Sequence, residues 1–186
     1  MELADRSAWT NRHKDPGVDA DFDARLLAGE IATCPQVTME LLWTAQSPQE
    51  FEELREDLAA LPQVPVDGGT WQRAIDVWHE LVRSSRHRQA KIPDLLVAAA
   101  AEIVGMPVCH YAADFEAIAD VTGQPVRAIA PLGSLRPDGS VHSAEGMRRK
   151  ASEWMLSVRR LNASYEELDA ALRRFETLNF IQRERP

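Results

Sequence analysis

The sequence predicts an α/β fold with a mainly parallel central sheet. Short apolar runs typical of buried strands alternate with longer segments of helical period, and several of these segments end at a glycine. Strands that alternate with helices are joined by crossover connections, which make neighbouring strands parallel. In sheets of this kind, ligands bind at the carboxyl ends of the strands.

The predicted elements follow one another at short intervals. Strand-like runs cover residues 3–4, 31–34, 64–66, 108–111 and 126–130. Helical periods cover residues 19–28, 37–44, 51–61, 70–84, 93–104 and 114–121. The clearest helix start is Ser47-Pro48-Gln49-Glu50, because serine caps a helix well and proline suits its first turn.

The character of the chain changes near residue 135. Residues 136–140 form a turn or linker, and residues 145–161 and 165–178 have helical periods with apolar stripes flanked by arginine pairs. We therefore expect one domain over residues 1–135 and a linker with a helical C-terminal extension over residues 136–186. A packing role is the default expectation for the extension.

Composition limits the class of protein. The 186 residues carry a formal net charge of −8, which argues against binding nucleic acid through a general excess of positive charge. No apolar run reaches the roughly 18 residues of a membrane span, and the first residues do not resemble a signal peptide, so we expect a cytoplasmic protein. Cys34 and Cys109 lie in apolar runs without zinc-like spacing, which predicts buried free thiols.

Four acidic residues stand near predicted strand ends or helix starts. They are Asp5, Glu40, Asp94 and Asp114. Carboxylates that converge repel one another, and a divalent cation such as Mg²⁺ or Mn²⁺ relieves that repulsion. A metal held in this way suits phosphodiester hydrolysis. Spacing alone leaves the alternative open that each acid caps a helix or interacts with its dipole.

Four sequence blocks contain these acids in order. They are residues 3–8 (LADRSA), 31–42 (IATCPQVTMELL), 87–101 (HRQAKIPDLLVAAAA) and 110–125 (HYAADFEAIADVTGQP). With these blocks the chain resembles the VapC-like PIN-domain family over about residues 2–135. The resemblance implies a PIN-like α/β/α sandwich.

The resemblance also implies a function. It indicates a Mg²⁺- or Mn²⁺-dependent endoribonuclease toxin of a toxin–antitoxin system, usually a homodimer, which cuts tRNA or rRNA and is inhibited by a VapB-like antitoxin. Asp5, Glu40, Asp94 and Asp114 match the family's acidic quartet, with Asp5, Asp94 and Asp114 as the expected metal ligands. Ser7 matches a small hydroxyl that supports the site.

One position departs from the family pattern. The last block usually has an additional acid two residues before Asp114, and this chain has Ala112 there. A methyl group cannot bind a metal or orient its water. We therefore expect weak binding of a second metal or slow cleavage. The sequence does not distinguish a natural loss from an introduced, inactivating substitution, and the second is slightly favoured.

A basic run precedes Asp94. Arg86, Arg88 and Lys91 are candidates for binding RNA phosphates, although a solvated helix end gives the same pattern. Arg6, next to Asp5, either neutralises the site or faces solvent. His79 and His110 are left out, because a metal-activated water makes a histidine base unnecessary.

Tryptophans offer a second possible contact with RNA. Trp9, Trp43, Trp71 and Trp78 can stack on unpaired bases, but the helical spacing of Trp71 and Trp78 favours packing in the core or in a dimer.

Two alternatives to a ribonuclease remain open. One is a non-catalytic PIN-like binding or scaffold module, in which Ala112 marks lost chemistry. The other is a DNA-directed nuclease with a similar acidic site.

Overall fold

The structure, a computed structural model, describes residues 1–135. Its centre is a sheet of four parallel strands in the order β2-β1-β3-β4. The strands are β1 (Glu2–Ala4), β2 (Ile31–Ala32), β3 (Val108–His110) and β4 (Val126–Ala128). The predicted α/β class with a parallel sheet is confirmed.

Seven α-helices surround the sheet in the described part of the chain. They are α1 (Arg6–Asn11), α2 (Pro16–Leu27), α3 (Pro35–Leu42), α4 (Pro48–Ala59), α5 (Gly68–Arg83), α6 (Ile92–Ile103) and α7 (Ala113–Thr122). Short 3-10 helices follow α1 and α5, over Arg12–Lys14 and His87–Gln89. The helices predicted over residues 145–161 and 165–178 lie outside the described residues.

Helix α6 forms the middle of the core. Its residues 95–101 are buried without interruption, and it packs against β1, β3, α3, α5 and α7. A helix buried on all sides has a continuous apolar run instead of an amphipathic stripe. This packing fixes the amino end of α6 beside the carboxyl ends of β1 and β3.

Two predicted helix boundaries are confirmed. The side chain of Ser47 accepts a hydrogen bond from Glu50 N at the start of α4. Gly123 ends α7 with a φ of 71°, in the left-handed region that glycine adopts without strain.

Other predicted boundaries are wrong. Helix α2 begins at Pro16, three residues before the predicted start at Asp19, because Asp15 caps it. Beyond Ala32 the second strand keeps one bridge, between Thr33 and Gln63, in place of a longer ladder.

Helix α1 is absent from the predicted elements. It follows β1 directly, and the carboxylate of Asp5 caps it by accepting a hydrogen bond from Ser7 N. The turn from α1 to α2 is closed by Arg12, which is buried, pairs with Asp23 and lies over the ring of Phe22.

Candidate active site

Three of the predicted acids lie at the amino ends of helices. Asp5 follows β1 and caps α1, while Asp94 and Asp114 stand in the first turns of α6 and α7. Because β1 and β3 are neighbouring parallel strands, the residues that follow them emerge at the same edge of the sheet. The positive end of each helix dipole favours a carboxylate there.

Asp94 and Asp114 interact directly. Their carboxyl groups share a hydrogen bond, which requires a proton on one of them. Burial, this hydrogen bond and the charges of Asp5 and Asp114 together raise the pKa of Asp94 to about 8. At neutral pH the metal-free cluster therefore keeps a proton that an isolated aspartate would have lost.

The ammonium group of Lys91 faces this cluster. Its Nζ atom lies 3.3 Å from Asp114 Oδ2. Hydrogen bonding to Asp114, followed by the charges of Asp114, Asp94 and Asp5, raises the pKa of Lys91. All three carboxylates thus act on one ammonium group, whose side chain remains 77% exposed.

Backbone amides hold Asp5 and Ser7 in place. Ser7 N donates to Asp5 Oδ2 over 2.7 Å, and Tyr111 N donates to Ser7 Oγ over 2.9 Å. The serine hydroxyl therefore links the segment after β1 to the segment after β3, and its own proton remains available to a further acceptor. Asp5 itself is almost fully buried.

Glu40 lies to one side of the three aspartates, on α3. Its carboxylate pairs with Arg6 Nε at 3.3 Å and accepts from Gln36 Nε2 at 2.8 Å. Burial and the charges of Asp5 and Glu40 raise the pKa of the Cys34 thiol, so both acids lie near that buried residue.

Two of these contacts bear on the sequence predictions. Of the two possibilities for Arg6, the structure shows it paired with an acid of the predicted quartet. Gln36 is absent from the predicted site. Its i, i+4 spacing from Glu40 on a helix is the signal that would have indicated the contact.

The chemical type of these side chains suits a divalent cation. Carboxylate oxygens are the ligands that Mg²⁺ and Mn²⁺ prefer, and a cation would relieve the repulsion that, after burial and the hydrogen bond to Asp114, contributes to the raised pKa of Asp94. Within residues 1–135, however, no group of three or more His, Cys, Asp or Glu side chains is arranged so that it could hold a metal ion. The shared hydrogen bond of Asp94 and the ion pair of Lys91 engage the oxygens instead.

Ala112 stands at the N-cap position of α7, two residues before Asp114. Its backbone is extended, and the helix start has no side-chain cap. The His110 ring contacts this backbone, because Nδ1 lies 2.8 Å from the Ala112 carbonyl oxygen, to which it donates a hydrogen bond when it carries the ring proton. The side chain at this position offers the site no oxygen.

The basic run divides into three different environments. Arg86 is engaged by Asp120 Oδ2 at 2.9 Å and by Gln89. Arg88 is exposed on the short 3-10 helix, while Lys91 contacts the acidic cluster.

Of the two kinds of packing predicted for Trp71 and Trp78, packing in the core is wrong, and packing in a dimer stays a prediction. Both are exposed, and with Ile75 and Val82 they form an apolar stripe on α5. The side of α5 that enters the core carries Thr70, Ala74, Val77 and Leu81. We call the exposed stripe of Trp71, Ile75, Trp78 and Val82 the α5 stripe.

The other candidates for base stacking differ in exposure. Trp9 is buried edge-on against Phe22, which excludes stacking on RNA in this conformation. Trp43, at the end of α3, is 90% exposed. Cys34 and Cys109 are buried free thiols, as predicted.

Comparison with known proteins defines the class. The sequence model of the PIN domain matches residues 3–121. The chain is 39% identical to Ribonuclease VapC18 of Mycobacterium tuberculosis over 133 residues, which are 70% of this chain and 96% of that protein. It is 36% identical to Ribonuclease VapC21 of the same species over 135 residues, which are 71% of this chain and 96% of that one.

Solved structures agree at the level of the fold. DNA-bound VapBC from Salmonella typhimurium matches with a TM-score of 0.55 and 15% identity, covering 70% of this chain and 100% of that one. VapBC2 from Rickettsia felis, bound to a promoter fragment, matches with a TM-score of 0.54 and 12% identity, covering 68% and 97%.

These findings establish the family. The chain belongs to the PIN-domain family and, within it, to the VapC group, as the four sequence blocks indicate. None of the helices in residues 1–135 combines the length and the apolar character that a membrane span requires.

Proposed function

We propose that the protein is a divalent-metal-dependent endoribonuclease and the toxin of a toxin–antitoxin pair. The observation that carries the proposal is the contact of Asp94 with Asp114, next to Asp5, in a chain whose relatives are named ribonucleases. A cluster with a strongly perturbed pKa at the strand ends of an α/β sheet is a typical catalytic site.

The aspartates are the proposed ligands of Mg²⁺ or Mn²⁺. When bound, the metal supplies a water of lowered pKa and positive charge beside the phosphate. Asp5, Asp94 and Asp114 hold and orient the cation, and the Ser7 hydroxyl directs its proton toward a carboxylate or a bound water. Glu40, which is held by Arg6 and Gln36, is the fourth acid of the proposed site, and its proposed role is to accept a proton from the attacking water.

The basic residues are the proposed contacts of the RNA backbone. Arg88 is exposed and free to turn toward a phosphate, and Lys91 stands at the cluster itself. Arg86 already places part of its positive charge in an ion pair with Asp120. We therefore expect Arg88 and Lys91 to contribute more to RNA binding than Arg86.

Cleavage assays test the proposal. We expect the full chain to cut tRNA or rRNA in Mg²⁺ or Mn²⁺, and chelation or Asp114→Asn to slow cleavage by at least about 10³-fold. Asp76→Asn, on the exposed face of α5, is the control and should cleave normally. Equal cleavage of DNA would favour a DNA-directed nuclease, and a folded chain that cuts neither substrate would favour a scaffold module.

A VapB-like antitoxin is the proposed partner. The two solved structures compared above are VapBC assemblies. Two exposed apolar side chains, Met39 and Trp43, stand near Glu40 in the sequence at the end of α3 and offer an apolar surface. A partner that covered this surface would also shield the site. Co-expression with the product of the neighbouring reading frame is therefore expected to suppress RNA cleavage.

The proposed oligomer is a homodimer that pairs the α5 stripe with a second copy. Two tryptophans, an isoleucine and a valine, each 41–55% exposed, form an apolar surface along three turns of one helix. Trp78→Glu should weaken dimerisation by at least about 10-fold, because it buries a charge in the contact. Sedimentation velocity measures this, with Leu27→Glu as a control at an isolated exposed leucine. A dimer unaffected by Trp78→Glu would place the contact elsewhere.

A further inference from the structure

We propose that the Lys91 ammonium supplies, at the scissile phosphate, the positive charge that a second metal ion supplies in a two-metal nuclease. This inference rests on the proposed ribonuclease function. It makes Lys91 a catalytic residue instead of one of several contacts with the RNA backbone.

The position of Lys91 is the first support. Its Nζ atom lies 3.3 Å from Asp114 Oδ2, within the cluster that would hold the metal. Its backbone is fixed, because its carbonyl accepts a hydrogen bond from Leu95 N at the start of α6. The side chain is nevertheless 77% exposed, so the ammonium can contact the cluster on one side and a phosphate on the other.

The charge of the site is the second support. Asp5, Asp94 and Asp114 carry three negative charges when ionised, and Glu40 is already paired with Arg6. One divalent cation and one ammonium balance three carboxylates. The positive charge of two divalent cations would exceed the negative charge of the three carboxylates. Both cations would also have to share the same few oxygens, because the Ala112 side chain contributes none.

The neighbouring arginines are placed differently. Arg86 pairs with Asp120, and Arg88 is exposed on the short 3-10 helix before α6. Either can hold the RNA backbone without touching the reacting phosphate. Lys91 is the member of the run that contacts the acids themselves, so its charge acts where the bond is cut.

The proposed step is hydrolysis of one phosphodiester. The oxygen of a water forms a new bond to phosphorus, and the bond from phosphorus to one ribose oxygen breaks. The proton lost by the water is balanced by one gained by the leaving oxygen. Lys91 donates a hydrogen bond to a phosphate oxygen on which negative charge grows, and it stays protonated throughout.

Kinetics of full-length variants provide the first test. Lys91→Met keeps the length of the side chain but removes its charge. It should lower the single-turnover rate at saturating tRNA by about 10²–10³-fold with little change in KM. Lys91→Arg restores a cation and should remain within about 10-fold of the wild type. Arg55→Met, an exposed arginine on α4, is the control.

Titration with Mn²⁺ in the absence of RNA provides a test that does not depend on cleavage. The wild type should bind one ion, and Lys91→Met should bind Mn²⁺ at least about 10-fold more tightly, since an ammonium repels a cation at this distance. In an Ala112→Asp background, where a further carboxylate can hold a second ion, Lys91→Met should slow cleavage by less than about 10-fold.

The outcomes separate the two proposals. If Lys91→Met raised KM without lowering the rate at saturating RNA, Lys91 would be a simple phosphate contact. If the wild type bound two Mn²⁺ ions, no ammonium would be needed in place of a second metal. Either result would overturn the inference. If no variant cleaves RNA, the ribonuclease proposal fails. The effect of Lys91→Met on Mn²⁺ affinity then still decides whether the ammonium occupies a cation position.

Discussion

Asp94→Asn is expected to inactivate the enzyme and to stabilise its metal-free fold at alkaline pH. The carboxyl of Asp94 is partly buried against Asp5 and Asp114, and its pKa is raised to about 8. Asparagine keeps the shape of the side chain and can donate a hydrogen bond to Asp114. Because it is uncharged, the neighbouring carboxylates do not repel it. Function and stability therefore make opposite demands on this position.

The pH dependence follows from the direction of the shift. Between about pH 4 and pH 8, folded metal-free protein holds a proton on Asp94 that the unfolded chain releases, so the wild type loses stability as pH rises through this window. The advantage of Asp94→Asn should thus be near zero at pH 4 and grow to about 2 kcal/mol at pH 8.5, since water screens part of the repulsion.

Urea unfolding in EDTA at several pH values measures this difference. Asp76→Asn removes an exposed carboxylate from α5 and should show no comparable growth with pH. Addition of Mn²⁺ should stabilise the wild type and leave Asp94→Asn nearly unchanged, because a ligand stabilises only the form that binds it. A stability difference that stayed constant from pH 4 to pH 8.5 would show that Asp94 ionises normally.

The parallel sheet was predictable because its strands are short apolar runs with no alternation. Buried parallel strands carry apolar side chains on both faces, so the pattern is visible in residues 108–110 and 31–32 without any knowledge of their neighbours. Helix α1 was not predictable in the same way. It has six residues, and its start signal is Asp5, which directly follows β1 and belongs to the proposed site.

The orientation of α5 could not be read from its period. Two stripes, one with Ala74 and Val77 and one with Trp71 and Trp78, have the same helical spacing. The core side carries the smaller residues because α5 packs closely against the alanine-rich α6, where indole rings would not fit. A sequence pattern locates an apolar face but does not show what covers it.

The acids were predictable from their blocks, but their mutual contacts were not. Three of the four blocks place a carboxylate at a helix start, and the parallel order of β1 and β3 brings two of these starts together. The hydrogen bond between Asp94 and Asp114 and the ion pair of Asp114 with Lys91 depend on side-chain geometry between two helices, α6 and α7. Spacing along one chain contains no information about such distances.

Ala112→Asp is expected to accelerate RNA cleavage by about 10–100-fold at saturating metal. The position contacts the His110 ring and lies two residues before Asp114, at the N-cap of the helix that carries it. A carboxylate there would add the oxygen ligand that the site lacks. Because the backbone already adopts the extended conformation of an N-cap, the substitution needs no rearrangement of the chain.

The same substitution has a second effect, which requires its own control. Aspartate at an N-cap accepts a hydrogen bond from the helix backbone and typically stabilises a helix by about 1 kcal/mol over alanine. Asp5 already combines these roles, because it caps α1 and also belongs to the acidic cluster. Greater stability of α7 is therefore by itself a second possible cause of an increase in activity.

Ala112→Asn separates the two effects. Asparagine caps a helix as well as aspartate but is a poor metal ligand, so it should raise the stability by the same amount and leave cleavage unchanged. Ala112→Asp should in addition bind a second Mn²⁺ ion, measured by calorimetric titration. Equal acceleration by both variants would mean that the order of α7, and not the missing carboxylate, limits the rate. If Ala112→Asp accelerated cleavage and Ala112→Asn did not, the missing carboxylate at position 112 would be what limits the rate.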